Sequence, residues 1–172
     1  MRKLEVFANC SIIIVALIIC ATTIKEHWLS DSRAPRPAAV TDSRLLSTHL
    51  EVPGVDWESA NKTIVMALST QCHFCQESAP FYKSVSESPA VKSKRIAVMM
   101  IFPQSSDEAE SFARTKDIHP GRILSMNLQQ LGISSTPTMF LVDHAGKIEK
   151  MWIGVLSEDQ QRQLLGDLKR IS

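Results

Sequence analysis

Cys72 and Cys75 are the residues best equipped for chemistry in this 172-residue chain. They close the run from Ile64 to Cys75, in which an apolar segment ends in a polar turn where a helix should begin. A helix start offers unpaired amide N–H groups and partial positive charge, and both favour thiolate over thiol. Cys72 is therefore expected to be the acidic, exposed sulfur and the nucleophile. The i to i+3 spacing sets Cys75 beside it, where it can attack a mixed disulfide formed on Cys72 and release the partner. The chemistry this pair could do is thiol–disulfide exchange.

Two other uses of such a pair fit less well. A structural zinc site needs four ligands, and the remaining cysteines, Cys10 and Cys20, lie inside an apolar segment. A purely structural disulfide would close a very short loop and so constrain the unfolded chain little. Neither a metal nor a cofactor is expected. Met99, Met100, Met139 and Met151 fall in strand-like runs and read as core packing, not as copper ligands.

The elements that must position the two thiols follow from the pattern of apolar residues. Ile64 to Leu68 is almost continuously apolar and reads as a strand buried on both faces. The helix opened by Cys72 is expected to run to about Ser88, kinked at Pro80, with Phe81 and Val85 inward and Pro89 closing it. Arg95 to Phe102 is a second buried strand ended by Pro103. Ser105 or Ser106 caps the next helix, which has Asp107, Glu108 and Glu110 at its start and Ala109, Phe112 and Ala113 inward. His119 to Gly121 is a turn, and Ser125 to Leu131 reads as a short helix ended by Gly132. Thr138 to Val142 and Lys147 to Ile153 form a hairpin across Asp143 to Gly146. A last helix starts at Ser157, with Leu164, Leu165 and Leu168 as its apolar stripe. Leu50 to Val52 is a candidate short strand before Pro53-Gly54, and Trp57 a candidate core cover. The order β, α, β, α, α, β, β, α gives an α/β fold: a mixed sheet with helices on both faces.

Before this domain the chain has a different character. Residues 1–6 carry Arg2 and Lys3, and Phe7 to Ile24 is uncharged. At about 1.5 Å per residue it covers most of a hydrocarbon core about 30 Å thick. Cys20 to Thr23 make a poor cleavage site, and Ile19 does not suit a lipoprotein signal, so 7–24 reads as an uncleaved transmembrane signal-anchor. Arg2 and Lys3 favour an inside N-terminus, but Lys25, Arg33, Arg36 and Arg44 follow the span, so orientation rests on its role as an export signal. Residues 25–49, with Pro35 and Pro37, read as a linker, and 50–172 as the folded domain. The net charge of +1 provides no basic stripe for nucleic acid.

The domain resembles the thioredoxin superfamily, and within it the membrane-tethered extracytoplasmic thiol-disulfide oxidoreductases that include cytochrome c maturation reductases. The resemblance spans roughly Asp56 to Ile171. It rests on Cys72-His73-Phe74-Cys75 after the first core strand, on Pro80, on Leu131 to Thr138, which looks like the family's cis-proline loop, and on Asp143 to Gly146 with Gly154. It implies a thioredoxin-like fold with a cis Thr136–Pro137 peptide beside the cysteines. It also implies a substrate face of Thr136, Pro137 and His73, and protein thiols or disulfides as substrates. A membrane or soluble thiol would donate electrons, and the domain would sit on the periplasmic side of the inner membrane.

Several positions depart from the family pattern. Gln71 stands where many relatives have Trp. Met66 replaces the acid found in thioredoxins six residues before the first cysteine, and Ser78 replaces the Glu of many tethered reductases. The proton acceptor for Cys75 is thus open, with His73 acting through water as one candidate. Phe74 stands where strong oxidants of the superfamily commonly have a His, and it offers the Cys72 thiolate no donor. A potential on the reducing side of about −200 mV is expected, away from the strong-oxidant figure of about −120 mV. An imidazolium at His73 would oppose this. The alternative function is a copper chaperone using the two thiolates as soft ligands.

Overall fold

A computed structural model describes residues 47–171. The expected membrane segment over 7–24 and the linker up to residue 46 lie outside these residues. Among the described residues, no helix is long and apolar enough to cross a membrane.

The strand predicted at Ile64 is the middle of the sheet. β1 (Lys62–Ala67) lies between β2 (Ile96–Phe102), parallel to it, and β4 (Thr138–Asp143), antiparallel to it. β3 (Arg122–Ser125) extends the sheet beyond β2 and β5 (Ile148–Ile153) beyond β4, giving the order β3-β2-β1-β4-β5. The apolar continuity of β1 follows from its place: alternate side chains serve two separate cores. Ile64 and Met66 point into one with Val98, Met100 and Leu141. Val65 and Ala67 point into the other with Met99, Ile101 and Phe140.

The first core is covered by α-helices. α1 (His73–Glu77), α2 (Ala79–Ser86) and α3 (Pro89–Lys92) replace the single helix expected from Cys72 to Ser88. Pro80 lacks an N–H and its ring crowds the carbonyl of Gln76, so the chain breaks at Ser78, two residues before the proline. Pro89 starts α3 instead of stopping its predecessor, as suits a residue whose missing N–H would have no partner there. α4 (Ser106–Thr115) begins with a capping box between Ser105 and Glu108. α5 (Glu158–Ile171) contributes Leu164 and Leu168.

The second core differs from the expected helices on both faces. Its cover is Leu50, Val52 and Trp57 from the segment before β1, with Leu128 and Ile133, and among the described residues its helical turns are 3-10: Trp57–Ser59 and Leu128–Leu131. Pro53-Gly54 on one side and Gly132 on the other leave too little chain for an α-helix. Leu50 to Val52 is not a strand; a β-bridge between His49 and Lys147, with backbone hydrogen bonds such as Leu50 N–H to Gly146 O at 2.9 Å, ties this segment to the hairpin. Ser125 ends β3 and does not start a helix. Trp57 covers the hairpin turn so closely that a Cβ on Gly146 would lie 2.9 Å from its Cδ1.

Gly146 (φ +83°) and Gly132 (φ +71°) share a left-handed backbone, but nothing lies within 4 Å of a Cβ built on Gly132. Gly132→Ala should cost only the backbone strain, about 1–2 kcal/mol. Gly146→Ala adds overpacking against the indole and should cost about 2–5 kcal/mol. Urea denaturation of the two variants should rank them in that order, and equal midpoints would contradict the packing of Trp57.

Candidate active site

The two cysteines stand where β1 hands over to α1, at the carboxyl end of the sheet's central strand. Cys72 is the N-cap, and its sulfur accepts a hydrogen bond from the Cys75 amide at 3.2 Å. It thus does for the helix what a Ser or Asp oxygen does elsewhere. Its carbonyl accepts from the Gln76 amide at 3.1 Å. Both cysteines are free thiols. Cys72 is partly exposed and Cys75 fully buried, as part of the first core.

This difference in burial separates the two acidities. Burial acts on Cys72 by raising its pKa. Hydrogen bonds from the Cys75 thiol, the Thr136 side chain and the amides of Cys75 and Phe74 outweigh it and hold the thiol below its ordinary value. Burial also dominates at Cys75; with the neighbouring Cys72 sulfur it pushes that thiol up to about 12, against a lowering contribution from the Ser69 amide. One sulfur is prepared to be a thiolate and its neighbour to remain a thiol.

Thr136 and Pro137 come up to Cys72 from the loop before β4. Their peptide bond is cis. The Cys72 thiol donates to the Thr136 carbonyl at 3.3 Å, a contact that favours the neutral thiol and so works against the donors. The loop is fixed from both ends: the Thr138 hydroxyl donates to the Ser135 carbonyl at 2.7 Å, and the Gly154 amide to the Pro137 carbonyl at 2.8 Å. His73 is exposed on the first turn of α1, its ring edge-on to Phe74 with centroids 5.7 Å apart. The contacts that chiefly set the Cys72 acidity come from Cys75, Thr136 and the Phe74 amide. Phe74 is the exposed large hydrophobic residue of the described chain, at 46%.

Gln104 is a further part of this arrangement that motif reading overlooks. It follows Pro103 at the end of β2, beside the end of β1. Its Nε2 donates to the Ser69 hydroxyl at 2.9 Å, and its Oε1 accepts from the Thr70 amide at 3.2 Å. The Ser69 hydroxyl also accepts from the Gln71 amide at 3.3 Å, and Gln76 Nε2 donates to the Thr70 carbonyl at 3.0 Å. The Ser125 hydroxyl anchors Gln104 through its carbonyl. The turn that carries Cys72 is thereby tied to two strands and to α1. A lone glutamine has no spacing signature; the usable signal was its place at a strand's carboxyl end, where sites in open α/β sheets form.

The sequence profile of the thioredoxin-like domain matches residues 58–169. The chain belongs to the thioredoxin-like domain family. No curated protein sequence matches it. Among solved structures, it is similar to StoA from Bacillus subtilis, with 22% identity and a TM-score of 0.52, over 76% of this chain and 96% of that one. A putative thiol:disulfide interchange protein DsbE from Chlorobium tepidum gives 16% identity and a TM-score of 0.56, over 80% of this chain and 96% of that one. A secreted Mycobacterium tuberculosis disulfide oxidoreductase, described as homologous to E. coli DsbE, gives 15% and 0.52, over 75% and 98%. At these identities the likeness is one of fold. Thiol-disulfide oxidoreductase chemistry is what the sequence leads one to expect on this fold, and the family match and the neighbours' names agree with it.

The unequal acidities can be read directly. Iodoacetamide should alkylate Cys72 with a midpoint below the ordinary cysteine pKa of about 8.5, because only thiolate reacts. Cys75 should stay unmodified in the folded protein until the pH nears about 12. Mass spectrometry of peptides after timed alkylation distinguishes the two, and equal labelling near neutral pH would contradict the assigned burial.

Proposed function

We propose that this protein is a membrane-anchored thiol-disulfide oxidoreductase that reduces or isomerises disulfides of extracytoplasmic proteins through Cys72 and Cys75. The observation that carries the reading is the pairing of a partly exposed, acidified sulfur at a helix N-cap with a buried, weakly acidic one beside it. In the reaction, the Cys72 thiolate attacks a substrate disulfide, one substrate sulfur leaves as thiolate, and a mixed disulfide forms. Cys75 then attacks Cys72 Sγ, the second substrate sulfur leaves, and the protein is left with a Cys72–Cys75 disulfide. The substrate gains the two electrons that the dithiol loses, and a thiol donor restores the dithiol.

Thr136 and Pro137, beside the nucleophile, are the proposed seat of an extended substrate segment, and Phe74 and His73 border it. The direction of reaction follows from what surrounds Cys72. The Phe74 side chain offers no polar group, and the contacts that lower the Cys72 pKa most come from Cys75 and Thr136. The thiolate is then stabilised less than in a strong oxidant, which supports a potential on the reducing side of about −200 mV. A copper chaperone is the weaker reading: among the described residues no third His, Cys, Asp or Glu joins the two thiols in a ligand cluster.

Cys75→Ala should accumulate mixed disulfides on Cys72 when reduced protein meets a disulfide substrate, while Cys72→Ala should trap little. Equal trapping by both variants would count against the roles. Insulin reduction should be lost in Cys72→Ser, and equilibration with glutathione should place the wild-type potential; a value near about −120 mV would overturn the reducing direction. The anchor is proposed from the apolar stretch Phe7 to Ile24. The full chain should stay with membranes after carbonate washing and be open to protease from outside; recovery of a soluble form cut after that stretch would remove this part of the proposal.

A further inference from the structure

Resolution by Cys75 requires a proton to leave a buried thiol, and the core around it holds no conventional base. The buried polar side chains of the described residues are Thr63, Ser78, Ser86, Ser88 and Thr138, with neither a carboxylate nor a histidine among them. The strand beneath contributes Met66 to the same apolar cluster as Cys75.

What the helix does present on the side of Cys75 are two hydroxyls. Ser78 and Tyr82 follow Cys75 at i+3 and i+7, a helical stripe. The break at Ser78 preserves it, since the Ser78 amide donates to the Phe74 carbonyl at 3.0 Å and the Tyr82 amide to the Ser78 carbonyl at 3.2 Å. Ser78 is 8% exposed and Tyr82 1%. Ser78 Oγ has no aligned hydrogen-bond partner, one of two such buried hydroxyls in the described residues; the other, Ser88, is the N-cap of α3. The Tyr82 phenol nevertheless lies near Ser78 and senses both cysteine sulfurs; burial chiefly, with their charge, raises its pKa far above the ordinary value. An unpartnered buried hydroxyl is costly where alanine would not be, so packing gives no reason for a serine here.

We infer that Ser78 and Tyr82 turn their hydroxyls to hydrogen-bond the Cys75 sulfur as charge develops on it, while the proton leaves to solvent base in place of a carboxylate. This rests on the exchange reaction proposed above. Each hydroxyl donates its hydrogen bond and keeps its proton, so both stay neutral. The Cys75–Cys72 S–S bond forms as the bond from Cys72 to the substrate sulfur breaks. The departing substrate thiolate takes up a proton from solvent in exchange for the one Cys75 gave up, so a thiol and a mixed disulfide become a disulfide and a thiol. Both residues act through Cys75 and are positioning residues.

The test is rapid-quench reaction of the reduced full chain with oxidised glutathione, following the glutathionylated species by mass. Wild-type resolution should rise about tenfold per pH unit from about pH 6 to about pH 9 without a plateau, because no group of ordinary carboxylate or imidazole pKa takes the proton. Tyr82→Phe and Ser78→Ala should capture glutathione at the wild-type rate but resolve it at least about tenfold more slowly. Ser78→Thr should restore the rate, and Ser78→Ala should melt at the wild-type temperature or above, which a structural role would not give. Unchanged resolution in both variants, or a wild-type plateau near neutral pH, would overturn the inference. If Tyr82→Phe does not fold, Ser78→Ala decides alone. Failure of the wild-type chain to capture glutathione at all would instead overturn the exchange reaction, and this inference with it.

Discussion

The hydrogen bond from the Cys75 amide to Cys72 Sγ, 3.2 Å long, is the contact around which the site is built. It makes a sulfur the cap of α1, so closing the helix and stabilising the thiolate become the same act. The contact requires the first turn of α1 to start at a fixed point relative to the sheet. β1 supplies that point because it is buried on both faces and paired on both edges. A central strand is the part of a sheet least able to shift, since a slip of one residue would exchange its two apolar faces.

The same placement separates the two sulfurs. Cys72, as a cap, stays at the surface, and one turn of helix carries Cys75 into the core between β1 and the helices. Hydrophobic packing alone therefore generates most of the acidity difference; the amide, hydroxyl and thiol contacts widen it by turning the Cys72 shift downward. Two other elements constrain Cys72 from outside the helix. Gln104 holds the preceding turn, and the loop ending in Pro137 closes over the sulfur from β4. These come from sequence positions about thirty and sixty residues away, and the sheet order β2-β1-β4 is what brings their strands to either side of β1.

Much of this was legible in the sequence where a pattern is long or a residue type is restrictive. β1, β2, the hairpin and α5 were readable from apolar runs and turn residues, and the cis Thr136–Pro137 peptide from the family resemblance. The shortfalls have local causes. Pro80 was read as a kink at its own position, whereas its steric effect falls on the residues before it, and the break appears at Ser78. β3 is a four-residue edge strand with no fully buried side chain, too short to show a period against its surroundings. Leu50 to Trp57 is apolar at intervals because it covers a sheet face, not because it pairs as a strand. Gln104 carries no pattern at all; its part in the site depends on the register between β1 and β2.

The Thr136 carbonyl has one more consequence. It accepts from the Cys72 thiol at 3.3 Å, and a thiolate has no proton to give it. Ionisation of Cys72 thus vacates a main-chain acceptor at the rim of the site at the moment the sulfur becomes reactive. A peptide laid along this loop would compete with a protonated cysteine but not with an ionised one. Docking of such a peptide and ionisation of Cys72 would then be thermodynamically linked through a single oxygen atom: whatever hydrogen-bonds to that carbonyl lowers the affinity of Cys72 for its proton, and each rise in pH would strengthen the hold on the peptide until the sulfur is fully ionised.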